Sequence, residues 1–254
     1  MNLREVKQAY FLGIGGIGMS ALARYLKLQG AQVSGYDKTP SPLTDQLSSE
    51  GISVHFDESE SNLVKSADLF VYTPAIPKSH PSFQRVKDLG KEWYKRSEVL
   101  QWITEQGKTL AISGTHGKTT TSAFLTHIMN EVHGRTSGFV GGVMTNYRSN
   151  IVATSDSEFI VVEADEYDKS FLRLEPEIAV VTSLDSDHLD VYGTFEQMKE
   201  DYKTFGSSAS HLIVHHRLKQ EFPSSLTYGV EVDQADYRAE NIQVQNGKFH
   251  FEVF

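Results

Sequence analysis

Lys118 and Thr119 follow closely spaced glycines in the run Gly114-Thr115-His116-Gly117-Lys118-Thr119-Thr120. Glycines let successive backbone N–H groups turn toward one point, where they bind phosphate oxygens at the start of a helix. A lysine there supplies positive charge for the terminal phosphates, and the following threonine hydroxyl reaches a magnesium ion. Gly114, Thr115, His116, Gly117, Lys118, Thr119 and Thr120 are therefore candidate ligands for a nucleotide phosphate chain, ATP with Mg2+. The general phosphate-loop pattern places its first glycine where Ile112 stands here, so this loop is a shorter Gly-x-x-Gly-Lys-Thr form. An ordinary strand-to-helix turn that contains Lys-Thr is the competing reading.

Further chemistry lies downstream. The apolar run Phe159-Ile160-Val161-Val162 enters Glu163-Ala164-Asp165-Glu166-Tyr167-Asp168, and Ile178-Ala179-Val180-Val181 enters Ser183-Leu184-Asp185-Ser186-Asp187-His188-Leu189-Asp190. Acids clustered at the end of a buried strand are costly without a cation or hydrogen-bond donors. Thr119, one of these acids and His188 are placed to share magnesium with ATP phosphates if their strands lie side by side. A solvated charge run is the alternative for the acids. Magnesium prefers oxygen ligands, so a hydrogen-bonding role is the alternative for His188.

A separate glycine pattern, Gly13-Ile14-Gly15-Gly16-Ile17-Gly18, precedes these motifs and fits Gly-x-Gly-x-x-Gly. A strand reading of Gln32 to Tyr36 ends at Asp37, about twenty residues on, which is the layout of a dinucleotide fingerprint. A tight turn in any βαβ unit gives the same pattern.

These residues need strands and helices to position them. Apolar runs at 9–14, 32–37, 54–56, 68–72 and 92–95 read as strands, with helices over the stretch from Met19 to Leu28, 82–89 and 97–105. Pro74 and Pro77 mark a loop at a strand's carboxyl end, where ligands sit in open α/β sheets. Gln106-Gly107-Lys108 is the expected boundary. Beyond it come strands at 109–112, 151–153, 158–162, 178–182 and 211–215, a helix after the loop, and a helix from Thr194 to Phe205. Glu196 and Glu200 are expected to face Lys199 and Lys203. Gly138, Gly141 and Gly142 read as small-residue clusters. Alternation from Tyr237 to Val253 predicts an antiparallel hairpin turning at Gln245-Asn246-Gly247.

The expected fold is thus α/β: a Rossmann-like domain over 1–106, then a phosphate-loop ATPase-type α/β domain over 107–254 ending in a β-hairpin. The 254 residues carry no cysteine, so disulfides and thiolate metal sites are excluded. No apolar run has the length of a membrane span, and no signal-peptide pattern opens the chain. The net charge of −9 disfavours nonspecific nucleic-acid binding. Neither a nucleic acid nor a membrane is expected as a partner.

Together, Gly13-Ile14-Gly15-Gly16-Ile17-Gly18-Met19-Ser20, Gly114-Thr115-His116-Gly117-Lys118-Thr119-Thr120, Glu163-Ala164-Asp165-Glu166-Tyr167-Asp168 and Asp187-His188-Leu189-Asp190-Val191-Tyr192-Gly193 resemble the Mur ligases of peptidoglycan synthesis. Alanine-adding members match best, and Pro74-Ala75-Ile76-Pro77 favours them over a related tripeptide-recycling member. The resemblance implies ATP-dependent joining of L-alanine to UDP-N-acetylmuramate through an acyl phosphate, in the cytoplasm. It implies a UDP-substrate site at Gly13, Gly15, Gly16, Ile17, Gly18 and Asp37. Lys118, Glu163 and His188 would be catalytic, with Thr119, Glu163 and His188 at magnesium. His116 would face the muramate carboxylate or pack within the loop. Family members have a third domain that completes the ATP site, so the 254 residues are expected to be a truncated chain that is inactive alone. Two other classes stay open: an NAD-binding dehydrogenase or regulatory module built on Gly13 to Asp37, and a phosphate-loop protein that switches conformation.

Overall fold

The apolar runs near residues 10 and 70 become the central strands of a parallel sheet. The computed structural model describes residues 1–57, 65–166, 169–186 and 192–254. Within these, two units separate: Met1–Gly107 with Leu125–Ile160, and Lys108–Phe124 with Val161–Phe254.

The first unit contains strands β1 (Gln8–Leu12), β2 (Gln32–Tyr36), β3 (Ser53–His55), β4 (Leu69–Tyr72) and β5 (Trp93–Lys95), hydrogen-bonded in the order β3-β2-β1-β4-β5. All neighbours are parallel. Ala9 to Leu12 and Leu69 to Tyr72 are fully buried, which is why those strands read as continuous apolar runs rather than as alternation. Successive strands run outward on opposite sides of β1. The strand order therefore reverses between β1 and β4, and the carboxyl edge there is the expected ligand crevice. Helix α1 (Ile17–Leu28) starts at that edge and buries Met19, Leu22, Ala23 and Leu26. Gly30, at φ 97°, ends it in a conformation that a side chain disfavours.

Helix α2 (Pro42–Ser49) is absent from the sequence expectation. Its signals are local: Ser41 Oγ accepts from Thr44 N at 3.2 Å, Ser41 N donates to Thr44 Oγ1 at 2.8 Å, and Pro42 occupies the first turn. Its apolar face is too short for periodicity to reveal. Helices α3 (Pro81–Asp88) and α4 (Arg96–Thr104) follow expectation closely.

Strands β6 (Lys108–Ser113), β7 (Thr136–Met144), β8 (Ser149–Val152), β9 (Phe159–Glu163) and β10 (Ile178–Val181) come next in the chain, with helix α5 (Lys118–His133) after β6. β7 was hidden by its glycines. Gly138 lies against Thr126 of α5, and a β-carbon on it would stand 2.2 Å from Thr126 Oγ1, so the glycine serves close packing within a strand. In the first unit β7 pairs antiparallel with β8. Asn150 of β8 is fully buried and bonds into α1: its amide donates to Ile17 O and to Ser20 Oγ at 3.1 Å, and its carbonyl accepts from Arg24 Nη1 at 2.6 Å.

The second unit adds helix α6 (Phe195–Ser207) and strands β11 (His211–His215), β12 (Leu226–Val230), β13 (Tyr237–Gln245) and β14 (Lys248–Val253). From one edge its strands run β14-β13-β12-β11-β10-β6-β9. β6, β10, β11, β12 and β13 are parallel, and β14 closes an antiparallel hairpin. Asn246 (φ 52°) and Gly247 (φ 72°) make its turn, as the sequence pattern requires. β12 was not expected; its five residues alternate in burial but carry a glycine and a threonine. Lys203 pairs with Glu200 at 2.8 Å, whereas Lys199 turns to Glu221 at 2.7 Å, a partner far along the chain.

Candidate nucleotide-phosphate and substrate sites

β6 delivers the glycine loop at its carboxyl end, and α5 begins immediately at Lys118. Gly114 has φ 134° and Gly117 φ 83°, so both need the freedom that glycine alone has. The neighbouring β10 exit clamps this loop. Thr115 N donates to Ser183 O at 3.1 Å, and His116 N donates to Ser183 Oγ at 2.7 Å. Thr182 Oγ1 donates to His116 O at 2.5 Å and lies 3.1 Å from Ser113 O. Thr115 Oγ1 shares a hydrogen bond with Ser183 Oγ at 2.8 Å and accepts from Asp185 N at 3.1 Å.

The amides of Thr115 and His116 thus hold the loop's shape. The first helical-type bond of α5 runs from Thr121 N to Gly117 O, which leaves the amides of Lys118, Thr119 and Thr120 ahead of it. Such leading amides and the helix dipole favour an anion. Thr120 is exposed in this first turn. The His116 side chain is 68% exposed, with Nε2 3.7 Å from Asp185 Oδ2.

Lys118 folds over the loop. Its Nζ donates to Gly114 O at 2.6 Å and to Glu166 Oε1 at 2.7 Å. Thr119 Oγ1 donates to Glu163 Oε1 at 2.9 Å, so the β6 loop and the β9 exit meet as the sequence reading required. Hydroxyl and carboxylate oxygens are the hard donors that magnesium takes, and these two are close enough to share one ion. Among the described residues no group of three or more His, Asp or Glu forms a ready metal cluster. His188 lies outside the described residues, together with Asp187 and Asp190.

Glu166, Thr182, Ser183 and Asp185 were not singled out from sequence. Glu166 sat unmarked within the acidic run, and Thr182 to Asp185 read only as a polar loop. Tyr202 of α6 is buried nearby; burial first, and then the Glu166 charge, push its phenol far above the usual value, so it stays neutral.

In the first unit, Gly13 N and Ile14 N donate to Tyr36 O at 2.8 and 3.0 Å. Gly15 N donates to Asp37 Oδ2 at 2.7 Å, while Thr39 N donates to Oδ1 at 3.3 Å. Asp37 therefore braces the glycine loop from β2. A β-carbon on Gly15 would lie 2.8 Å from that same Oδ2. Gly16 is the N-cap of α1, and Ser20 N to Gly16 O is the helix's opening bond. The amides of Ile17 and Gly18 precede it, in the arrangement seen at α5. Gly18 makes room for Arg96: a β-carbon would stand 2.9 Å from its Nη1. The sequence fingerprint uses its last glycine for helix–strand packing, and here that glycine faces a guanidinium instead.

Comparison with known proteins matches the same two stretches. Residues 8–108 match the model described as Mur ligase family, catalytic domain, and residues 112–254 match the Mur ligase middle domain. Curated proteins named UDP-N-acetylmuramate–L-alanine ligase are similar over nearly the whole chain. The one from Phocaeicola vulgatus is 42% identical over 99% of this chain and 57% of its own length. That from Flavobacterium psychrophilum is 44% identical over 100% of this chain and again 57% of its own. The chain therefore spans little more than half the length of these relatives. Among solved structures, UDP-N-acetylmuramate-alanine ligase from Thermotoga maritima superposes with a TM-score of 0.83 at 24% identity, over 98% of this chain and 58% of that one. A UDP-N-acetylmuramate:L-alanyl-gamma-D-glutamyl-meso-diaminopimelate ligase from Neisseria meningitides gives the same TM-score at the same identity, over 98% of this chain and 84% of that one. These likenesses carry the fold. The match across residues 112–254, which contains the Lys118–Thr119 loop and its acidic partners, places the chain in the Mur ligase family.

Proposed function

We propose that this chain forms the substrate- and ATP-binding parts of an enzyme that joins L-alanine to UDP-N-acetylmuramate in peptidoglycan precursor synthesis. In this reading residues 1–106 hold the UDP portion and residues 107–254 hold ATP. The observation that carries it is the meeting of Lys118 and Thr119 with the acids of the β9 exit, at 2.7 and 2.9 Å. The names of the relatives support the choice of substrates.

A carboxylate resists attack by an amine because its carbon is electron-rich and oxide is a poor leaving group. In the proposed reaction a muramate carboxylate oxygen attacks the γ-phosphorus of ATP and ADP leaves, giving an acyl phosphate. The alanine nitrogen then attacks the carbonyl carbon, loses a proton, and inorganic phosphate departs. Lys118 and the leading amides of α5 supply positive charge where the phosphoryl group transfers. Thr119 and Glu163 are the residues that would hold magnesium, which neutralises phosphate charge when bound. The amides of Ile17 and Gly18 are the donors assigned to the UDP diphosphate, with Asp37 bracing their loop. His188 is assigned to a metal or its orientation, from sequence alone. Among the described residues no helix is long and apolar enough to cross a membrane. We assign the protein to the cytoplasm, where this substrate pair would be joined.

Titration of the chain with UDP-N-acetylmuramate and, separately, with NADH tests the reading. Saturable binding of the UDP-sugar with none of NADH is expected. The opposite preference overturns it in favour of a dinucleotide-binding protein.

A further inference from the structure

Glu166 is a buried carboxylate to which the proposed reaction gives no task. Its side chain is 1% exposed, and it faces a lysine whose side chain is 15% exposed. The backbone around it is fixed as well: Glu166 O accepts from Tyr192 OH at 2.6 Å and from Lys169 N at 3.0 Å. Across the pair, Lys118 Nζ also donates to Gly114 O at 2.6 Å. An ammonium has three N–H donors on a flexible stem. With one directed to Gly114 O and one to Glu166, the position of the third is set by the tetrahedral nitrogen.

If Lys118 swung away to follow an arriving phosphate chain, it would leave an ionised carboxylate buried without its cation, which is strongly unfavourable. Keeping the pair intact as phosphate binds avoids that cost. We propose that Glu166 is a positioning residue for Lys118, holding the ammonium so that its remaining N–H points to the phosphate chain. This rests on the nucleotide reading given above and assigns to the acidic run a second task, distinct from magnesium binding at Glu163. It also explains why the β9 exit carries acids at both 163 and 166: one meets Thr119, the other Lys118.

The test compares the wild-type chain with Glu166→Gln and Glu166→Asp, using magnesium with inorganic triphosphate as the probe. Affinity is read by calorimetry. The Lys118 ammonium is read by nitrogen-15 NMR, its signal assigned through its loss in Lys118→Arg. Glu166→Gln is expected to weaken triphosphate binding about tenfold and to abolish the protected Lys118 signal. Glu166→Asp keeps the charge on a shorter arm and is expected to lose only about threefold. Simple removal of a negative charge beside a polyanion predicts the reverse, tighter binding. Unchanged or tighter binding in a folded Glu166→Gln protein overturns the proposal. If that variant does not fold, Glu166→Asp decides, and wild-type affinity with a wild-type ammonium signal overturns it. Absence of triphosphate binding by the wild-type chain overturns the nucleotide reading itself, and this role with it.

Discussion

Thr182 occupies the space that any side chain at residue 114 would need: a β-carbon there would stand 2.1 Å from Thr182 Oγ1. The same hydroxyl donates to His116 O and lies 3.1 Å from Ser113 O, so it sits between both flanks of the loop at the β10 exit. Gly114→Ala must therefore push the β10 exit away, in addition to straining a backbone at φ 134°. We expect loss of triphosphate affinity by about a hundredfold, because displacement of positioned donors by about an ångström costs that much. Thr182→Ala in the same chain should not restore it, since the backbone strain remains. Calorimetry on both variants, with circular dichroism to confirm folding, checks this.

Under the proposed function, Lys118→Ala should abolish ATP-dependent ligation in a protein that spans the whole length of the relatives. It should also destabilise the chain by about 3 kcal/mol, because it leaves Glu166 buried and uncompensated. Lys118→Met combined with Glu166→Gln should recover most of that stability and none of the activity. Urea denaturation and a phosphate-release assay separate the two effects. Equal stability of Lys118→Ala and wild type would show that the pair contributes nothing to the fold.

Thr119 and Glu163 make a narrower prediction about metal. Thr119→Val removes an oxygen donor and the 2.9 Å bond to Glu163. Affinity for ATP in excess magnesium should fall about tenfold, and affinity for metal-free ATP should change little. Thr119→Ser should behave as wild type. A loss that is the same with and without magnesium would assign Thr119 to packing.

His55 gives the first unit a pH response. Its Nε2 lies 3.0 Å from Tyr10 OH and its Nδ1 lies 3.2 Å from Asp57 O, an arrangement that suits a neutral ring donating through Nδ1 and accepting through Nε2. Burial, the largest cause, lowers its pKa below the ordinary histidine value, against smaller opposing effects of Asp57. The unfolded chain therefore binds the proton more readily than the folded one. The contribution is fully present above the unfolded pKa of about 6.5 and is lost as pH falls through it to the lower folded value. Thermal unfolding at pH 7.5 and pH 5 is expected to show this acid destabilisation, and His55→Gln should reduce the difference. An identical pH dependence in that variant would remove His55 as the cause.

The sequence determined the order of strands and helices wherever an apolar period or a glycine stop was long enough to be read. β1, α1, β2, β4, β6, α5, β10 and α6 all fall in that class, as does the hairpin turn at Asn246-Gly247. It also determined which chemistry was available: a glycine loop carrying Lys118 and Thr119, and acids at a strand end. β7 escaped because tertiary packing placed a glycine where Thr126 approaches, so the strand lost its usual composition. α2 escaped because its evidence is a cap and not a period. The alternation of β13 and β14 identified their apolar faces, but not what covers them; Val244, Phe249, Phe251 and Val253 are exposed among the described residues.

Tertiary structure alone decided the partnerships. Nothing in residue spacing says that Glu163 meets Thr119 while Glu166 meets Lys118, because that depends on β9 lying beside β6. Nothing local says that Ser183 takes the His116 amide, because β10 must first pair with β6 on the other side. Asp37, which spacing alone offers to a ligand, braces Gly15 once β2 lies against β1. Local periodicity and turn chemistry are properties of short segments and can be read from them. A hydrogen bond between distant residues depends on strand order and register, which only the folded chain fixes.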